Sequence, residues 1–143
     1  MTTGVDQELS EGARETADEL IARPVRDQLD AYNDKDIERF MRCWAEDCEY
    51  YEFPDILLAQ GAMAVRQRHV QRFREPNLHG HLRARLVVGD IVIDHESVQR
   101  TLPDGAATVD VVAIYQVRDG LIAKAWFQQT GAILLQPRSA CVS

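Results

Sequence analysis

Long hydrophobic runs, paired cysteines and a surplus of positive charge are all missing from this 143-residue chain. No apolar stretch approaches the ~20 residues that a membrane-spanning helix needs. The first residues are acidic and polar and lack the basic-then-apolar order of a secretory signal, so the expectation is a cytoplasmic protein without a membrane segment. Cys43, Cys48 and Cys141 are odd in number and form no CxxC pair, which argues against a disulfide framework or a structural zinc site. Lysine and arginine total 16 against 23 acidic residues, a net charge of −7, and such a surface suits neither nucleic acid nor an anionic membrane as a partner. A GxSxG elbow and a phosphate-binding glycine loop are absent, and Cys43 and Cys48 have no histidine near them in sequence. Little is left for nucleophilic catalysis or nucleotide binding.

What is present is enough apolar material, 45% of residues, for one compact domain with a buried core. Residues 1–22 read as an acidic extension. They hold Asp6, Glu8, Glu11, Glu15, Asp18 and Glu19 against Arg14, a net −5 that is most of the excess charge. Leu9, Ala13, Ala17, Leu20 and Ile21 recur at helical spacing there, and Pro24 predicts a break after Arg23. A single domain over 23–136 and a frayed tail over 137–143 complete the expected organisation.

Within the domain, Val25, Leu29 and Tyr32 share one helical face, and Asn33-Asp34-Lys35-Asp36 supplies a turn and an N-cap for a second helix. Ile37, Phe40, Met41 and Trp44 form that helix's apolar stripe. Cys48 to Phe53 reads as a strand ended by Pro54. A third helix over Gly61 to Glu75 places Ala62, Val65, His69 and Phe73 on one stripe, leaves Arg66, Arg68, Arg72 and Arg74 mostly on a solvated face, and stops at Pro76. From Leu78 the apolar period changes to two. Turns at Gly89-Asp90, Pro103-Asp104-Gly105 and Asp119-Gly120 then join four long antiparallel strands, roughly 78–88, 91–102, 107–118 and 121–131. Helices followed by a long curled sheet make the class α+β.

This order resembles the nuclear transport factor 2-like superfamily, which includes SnoaL-like and ketosteroid isomerase-like domains. The residues that carry the likeness are Ala31-Tyr32-Asn33-Asp34-Lys35-Asp36, Trp44-Ala45-Glu46-Asp47-Cys48, and Arg118-Asp119-Gly120-Leu121-Ile122 followed by Trp126. The resemblance implies a cone-shaped antiparallel sheet wrapped around the N-terminal helices, an apolar cavity open at one end, a hydrophobic small-molecule ligand and a homodimer. For function it implies cofactor-free proton transfer on a carbonyl compound. A non-catalytic binding or dimerisation domain, and a hydratase or epoxide hydrolase that activates water, stand as alternatives.

Ketosteroid isomerase-like members place a proton-shuttling carboxylate just after the first strand, and an ungapped match puts Glu52 there, in apolar surroundings that include Tyr50 and Phe53. Alternation also allows Glu52 to point outward. By the same resemblance, the family's oxyanion donors correspond here to Gln28 and Ile114. Tyr32, one turn from Gln28, and Asp110, within an otherwise buried-looking run, are substitute donors, as is His95, which is either a pocket acid/base or a core residue. Tyr115 and Trp126 are candidates for the cavity mouth. His79 and His81 share a strand face suited to a metal, but Arg83 and Arg85 continue that face and would repel a cation, so no metal and no cofactor are expected.

Overall fold

The computed structural model describes residues 3–134, with side chains from Ala17 onward. Helix α1 runs unbroken over Thr3–Asn33. The break expected at Pro24 does not occur, because proline removes one donor and crowds one carbonyl, while Pro24 and its neighbours Ala22 and Val25 are buried against the sheet. Tertiary packing outweighs that local cost. The helix ends at Asn33, where Lys35 takes a positive φ of 57° and the Asp36 N–H returns to the Ala31 carbonyl at 2.9 Å. Asp36 then caps α2 (Ile37–Met41) by accepting the Arg39 N–H at 3.2 Å, a contribution of about 1 kcal/mol.

Helix α2 is shorter than its apolar stripe suggests, since Trp44 already opens strand β1 (Trp44–Glu52). The stripe still packs inward: Phe40 and Trp44 are buried, and Ile37 and Met41 lie against the same core. An edge strand missed by the sequence reading, β2 (Ile56–Gln60), follows. Next come α3 (Ala62–Arg72) and the strands β3 (His79–Val88), β4 (Ile91–Leu102), β5 (Gly105–Arg118) and β6 (Leu121–Gln129). A two-residue strand β7 (Ile133–Leu134) pairs with β5. The tail expected beyond residue 136 lies outside the described residues.

The strands form one curved, open sheet in which six follow the order β2-β1-β6-β5-β4-β3 and β7 pairs with β5 off this path. It is mixed where an antiparallel sheet was expected, because β1 runs parallel to β6. Register shifts at Tyr50/Tyr51, Leu82/Ala84 and Gln116/Val117 mark bulges, which bend strands and add twist. Helix α1 packs across β3 to β6 on the concave side, and α3 against β1 and β2. Among the described residues no helix is long and apolar enough to cross a membrane.

Candidate active site

Between α1, α3 and the concave sheet lies a cavity of about 80 Å³. A separate recess of about 150 Å³, lined by Glu52 and Leu58, shares Tyr50, Phe127 and Gln129 with it. The strand faces turned inward are Val92, Asp94, Glu96 and Val98 on β4 and Val109, Val111, Ala113 and Tyr115 on β5, all buried. This parity follows from which face α1 covers.

Glu96 is the one carboxylate lining the cavity among the described residues. It is 7% exposed. Loss of water pushes its pKa up to about 7, the nearby Asp94 charge adds to the rise, and Arg85 opposes it. Asp94, fully buried, is held by a bidentate pair from Arg85, with Nε to Oδ1 at 2.7 Å and Nη2 to Oδ2 at 2.9 Å. Asp94 is thus committed to Arg85, and Glu96 has no such pairing.

Gly80 lets the helix approach. A Cβ there would lie 3.0 Å from Leu29 Cδ1 and 3.3 Å from Glu96 Oε1. Asn33 at the end of α1 clasps the same glycine, donating to its carbonyl at 2.9 Å and accepting its N–H at 2.7 Å. Helix end, edge strand and Glu96 are therefore positioned as one unit.

The remaining polar lining is neutral or cationic. Buried Tyr115 accepts from Gln28 Nε2 at 3.3 Å, and desolvation together with the Glu96 charge raises its pKa well above the ordinary value. Burial likewise pushes Tyr32 up to about 12, against the opposing pull of Arg72. His69 sits 4.4 Å from Phe40, centroid to centroid, and its Nδ1 lies 2.8 Å from the Val65 carbonyl. Desolvation lowers its pKa to about 3, so it is neutral, with Nδ1 donating to that carbonyl and Nε2 left as an acceptor.

Of the residues expected at the site, Gln28, Tyr32, Tyr50 and Tyr115 are brought together around the cavity. Glu52 is exposed and lines the neighbouring recess, not the cavity. Asp110 and His95 do not reach it. They lie on the outer face of the sheet, paired with each other at 2.8 Å between Oδ1 and Nε2 and about half exposed. Ile114 and Trp126 also face outward, Trp126 stacking on Tyr51 at 6.0 Å. Strand residues alternate sides, so a match displaced by one residue selects the wrong face: the inward neighbour of Ile114 is Tyr115, and the inward neighbour of His95 is Glu96.

Arg72, expected on a solvated face, lines the cavity instead. Arg85 does not continue the His79 and His81 face, since the bulge at Leu82/Ala84 reverses the phase of β3. Among the described residues no three His, Cys, Asp or Glu side chains cluster as metal ligands. The signal that could have found Glu96 is its even spacing from Val92 and Val98 in Val92-Ile93-Asp94-His95-Glu96-Ser97-Val98.

The family model for the SnoaL-like domain matches residues 25–125. No curated protein matches the chain significantly. Among solved structures, a cystatin-fold protein from Novosphingobium aromaticivorans is 21% identical with a TM-score of 0.70, covering 76% of this chain and 97% of its own. A protein described as a putative polyketide cyclase from Sinorhizobium meliloti is 21% identical with a TM-score of 0.63, covering 74% and 94%. An epoxide hydrolase of the LEH-like type from M. tuberculosis is 14% identical with a TM-score of 0.66, covering 76% and 83%. At these identities the likeness establishes the fold.

Proposed function

The chain belongs to the SnoaL-like domain family, and on that premise we propose that it is an enzyme that moves a proton on a small, largely apolar carbonyl compound, with Glu96 as the base. The observation that carries the reading is a single carboxylate, buried in the cavity and held near neutrality by desolvation. A general base works best with a pKa near the working pH. In this mechanism the ionised Glu96 carboxylate takes a proton from the carbon next to the carbonyl. Negative charge then grows on the carbonyl oxygen, and the neutral Tyr115 hydroxyl, positioned by Gln28, donates a hydrogen bond to it. Returning the proton from Glu96 to another carbon completes an isomerisation.

Family likeness supports small-molecule enzymology more broadly, since the solved relatives include proteins described as a polyketide cyclase and an epoxide hydrolase. The water-activating alternative calls for two cavity carboxylates bridged by one water, whereas Glu96 alone lines the cavity among the described residues. Self-association through the outer face is part of the proposal, because Leu86 and Val112 are 57% and 39% exposed there beside Ile93 and Ile114.

The test is deuterium incorporation into a panel of cyclic enones in D₂O, followed by proton NMR, for the wild type, Glu96→Gln and Glu52→Gln. Glu96→Gln should lose about 10²- to 10⁴-fold in rate, and Glu52→Gln should stay near wild type. The reverse pattern would assign the base to Glu52 in the neighbouring recess.

A further inference from the structure

The charges along one wall of the cavity do not balance. Glu75 accepts two hydrogen bonds from Arg100, from Nε at 2.8 Å and from Nη2 at 2.7 Å, and a third from the Thr101 N–H at 3.0 Å. That arrangement commits the Glu75 carboxylate chiefly to Arg100 and the Thr101 backbone. Arg72 lines the cavity, as Arg100 does, yet its Nε comes only to 3.7 Å from Glu75 Oε2, beyond hydrogen-bond distance. Two guanidinium groups therefore share one carboxylate, and a net positive charge borders the cavity next to the Tyr32 hydroxyl.

Arg72 is largely shielded, with its side chain 23% exposed, so bulk water does little to screen it. A second lining donor lacks a partner: the indole N–H of Trp44, 4% exposed, has no acceptor. Buried donors in native proteins are nearly always paired. Along this wall positive charge exceeds negative, the Glu96 carboxyl and the His69 Nε2 acceptor lying elsewhere in the lining, although the chain as a whole carries −7. The cavity's other walls include Val98, Val109, Val111 and Phe127, which suit an apolar body.

Resting on the reading that this cavity is the substrate site, we infer that its ligand is an amphipathic organic anion whose carboxylate or acidic enol oxygen is held by Arg72 and the Tyr32 hydroxyl. One guanidinium left without a carboxylate of its own matches a single negative charge, not the two of a phosphate monoester. Arg72 presents planar donors to a planar oxygen group.

The test uses the full chain and an isosteric pair of probes, cinnamate and cinnamamide, with affinities from calorimetry and from tryptophan fluorescence. Cinnamate should bind at least about tenfold more tightly than the amide, the worth of a charge-assisted contact. That preference should vanish in Arg72→Gln, with amide affinity unchanged, and survive in part in Arg72→Lys, which keeps the charge. Equal affinities in the wild type, a preference that persists in Arg72→Gln, or no measurable binding of either probe would overturn the assignment. An intact preference combined with unaltered proton exchange in Glu96→Gln would uphold the ligand class and remove the base.

Discussion

Replacing Glu96 with Gln separates the requirements of stability from those of chemistry. The carboxyl titrates near 4.5 in the unfolded chain and at about 7 when folded. Below pH 4.5 both states hold the proton, and the group contributes no difference. Between pH 4.5 and 7 the folded state keeps a proton that the unfolded state has lost, so stability falls as pH rises. Above pH 7 the loss is complete, at about 3 kcal/mol. Gln is nearly isosteric and never ionises. The variant should therefore match the wild type within ~1 kcal/mol at pH 4.5, the allowance for altered hydrogen bonding. It should exceed the wild type by about 3 kcal/mol at pH 8, close to 10 °C in Tm for a chain of this size.

His69 works in the opposite sense. Its folded pKa is lowered to about 3, so the unfolded state takes up protons first and stability falls as pH drops below ~6.5. The two slopes oppose each other between pH 4.5 and 6.5 in the wild type, and the difference between wild type and variant isolates Glu96. Urea melts of both proteins from pH 4.5 to 8.5 provide the measurement. A stability difference that does not change with pH, or a variant less stable than the wild type at pH 8, would refute the burial argument and the base assignment with it.

Other perturbations report on the supports of the site. Gly80→Ala places a Cβ 3.0 Å from Leu29 Cδ1 and 3.3 Å from Glu96 Oε1; it should cost about 1–3 kcal/mol in urea denaturation and reduce turnover. Arg85→Met leaves Asp94 buried without its partner. A loss of about 3–5 kcal/mol is expected, and because Arg85 opposes the rise in the Glu96 pKa, the pH–rate profile should move upward. Asp110→Asn breaks the outer-face pair with His95; both partners are exposed, so melting should show a change within ~1 kcal/mol, and proton exchange should be unaffected. A single charge on the outer face, Val112→Lys, should weaken self-association in sedimentation experiments without altering the folded monomer.

Much of the architecture was legible locally. The switch from helical to alternating periodicity at Leu78 and the three hairpin turns placed the four long strands within a few residues, because both signals depend on near neighbours in sequence. The turn over Asn33-Asp34-Lys35-Asp36 and its N-cap were equally local. Gln28 came from the family resemblance, Tyr32 from its place one turn along the same helix face, and Tyr50 and Tyr115 from the aromatic surroundings expected of the cavity; the structure brings all four to it. Pro24 misled because its effect depends on how much burial the surrounding helix gains. The short edge strand β2, exposed except at Ala59, carries no alternating pattern to detect.

The sequence by itself determined the class and most of the succession of elements, since these follow from periodicity and turn chemistry, and the resemblance of its motifs supplied the candidate family. Only the tertiary structure decided which strand face meets the helices. That choice turned Asp110, His95 and Ile114 outward and Glu96 inward, because a strand offers two faces and the covering helix selects one. It also decided that Arg72 would border the cavity without a carboxylate of its own, a balance of charges set by residues distant in the chain.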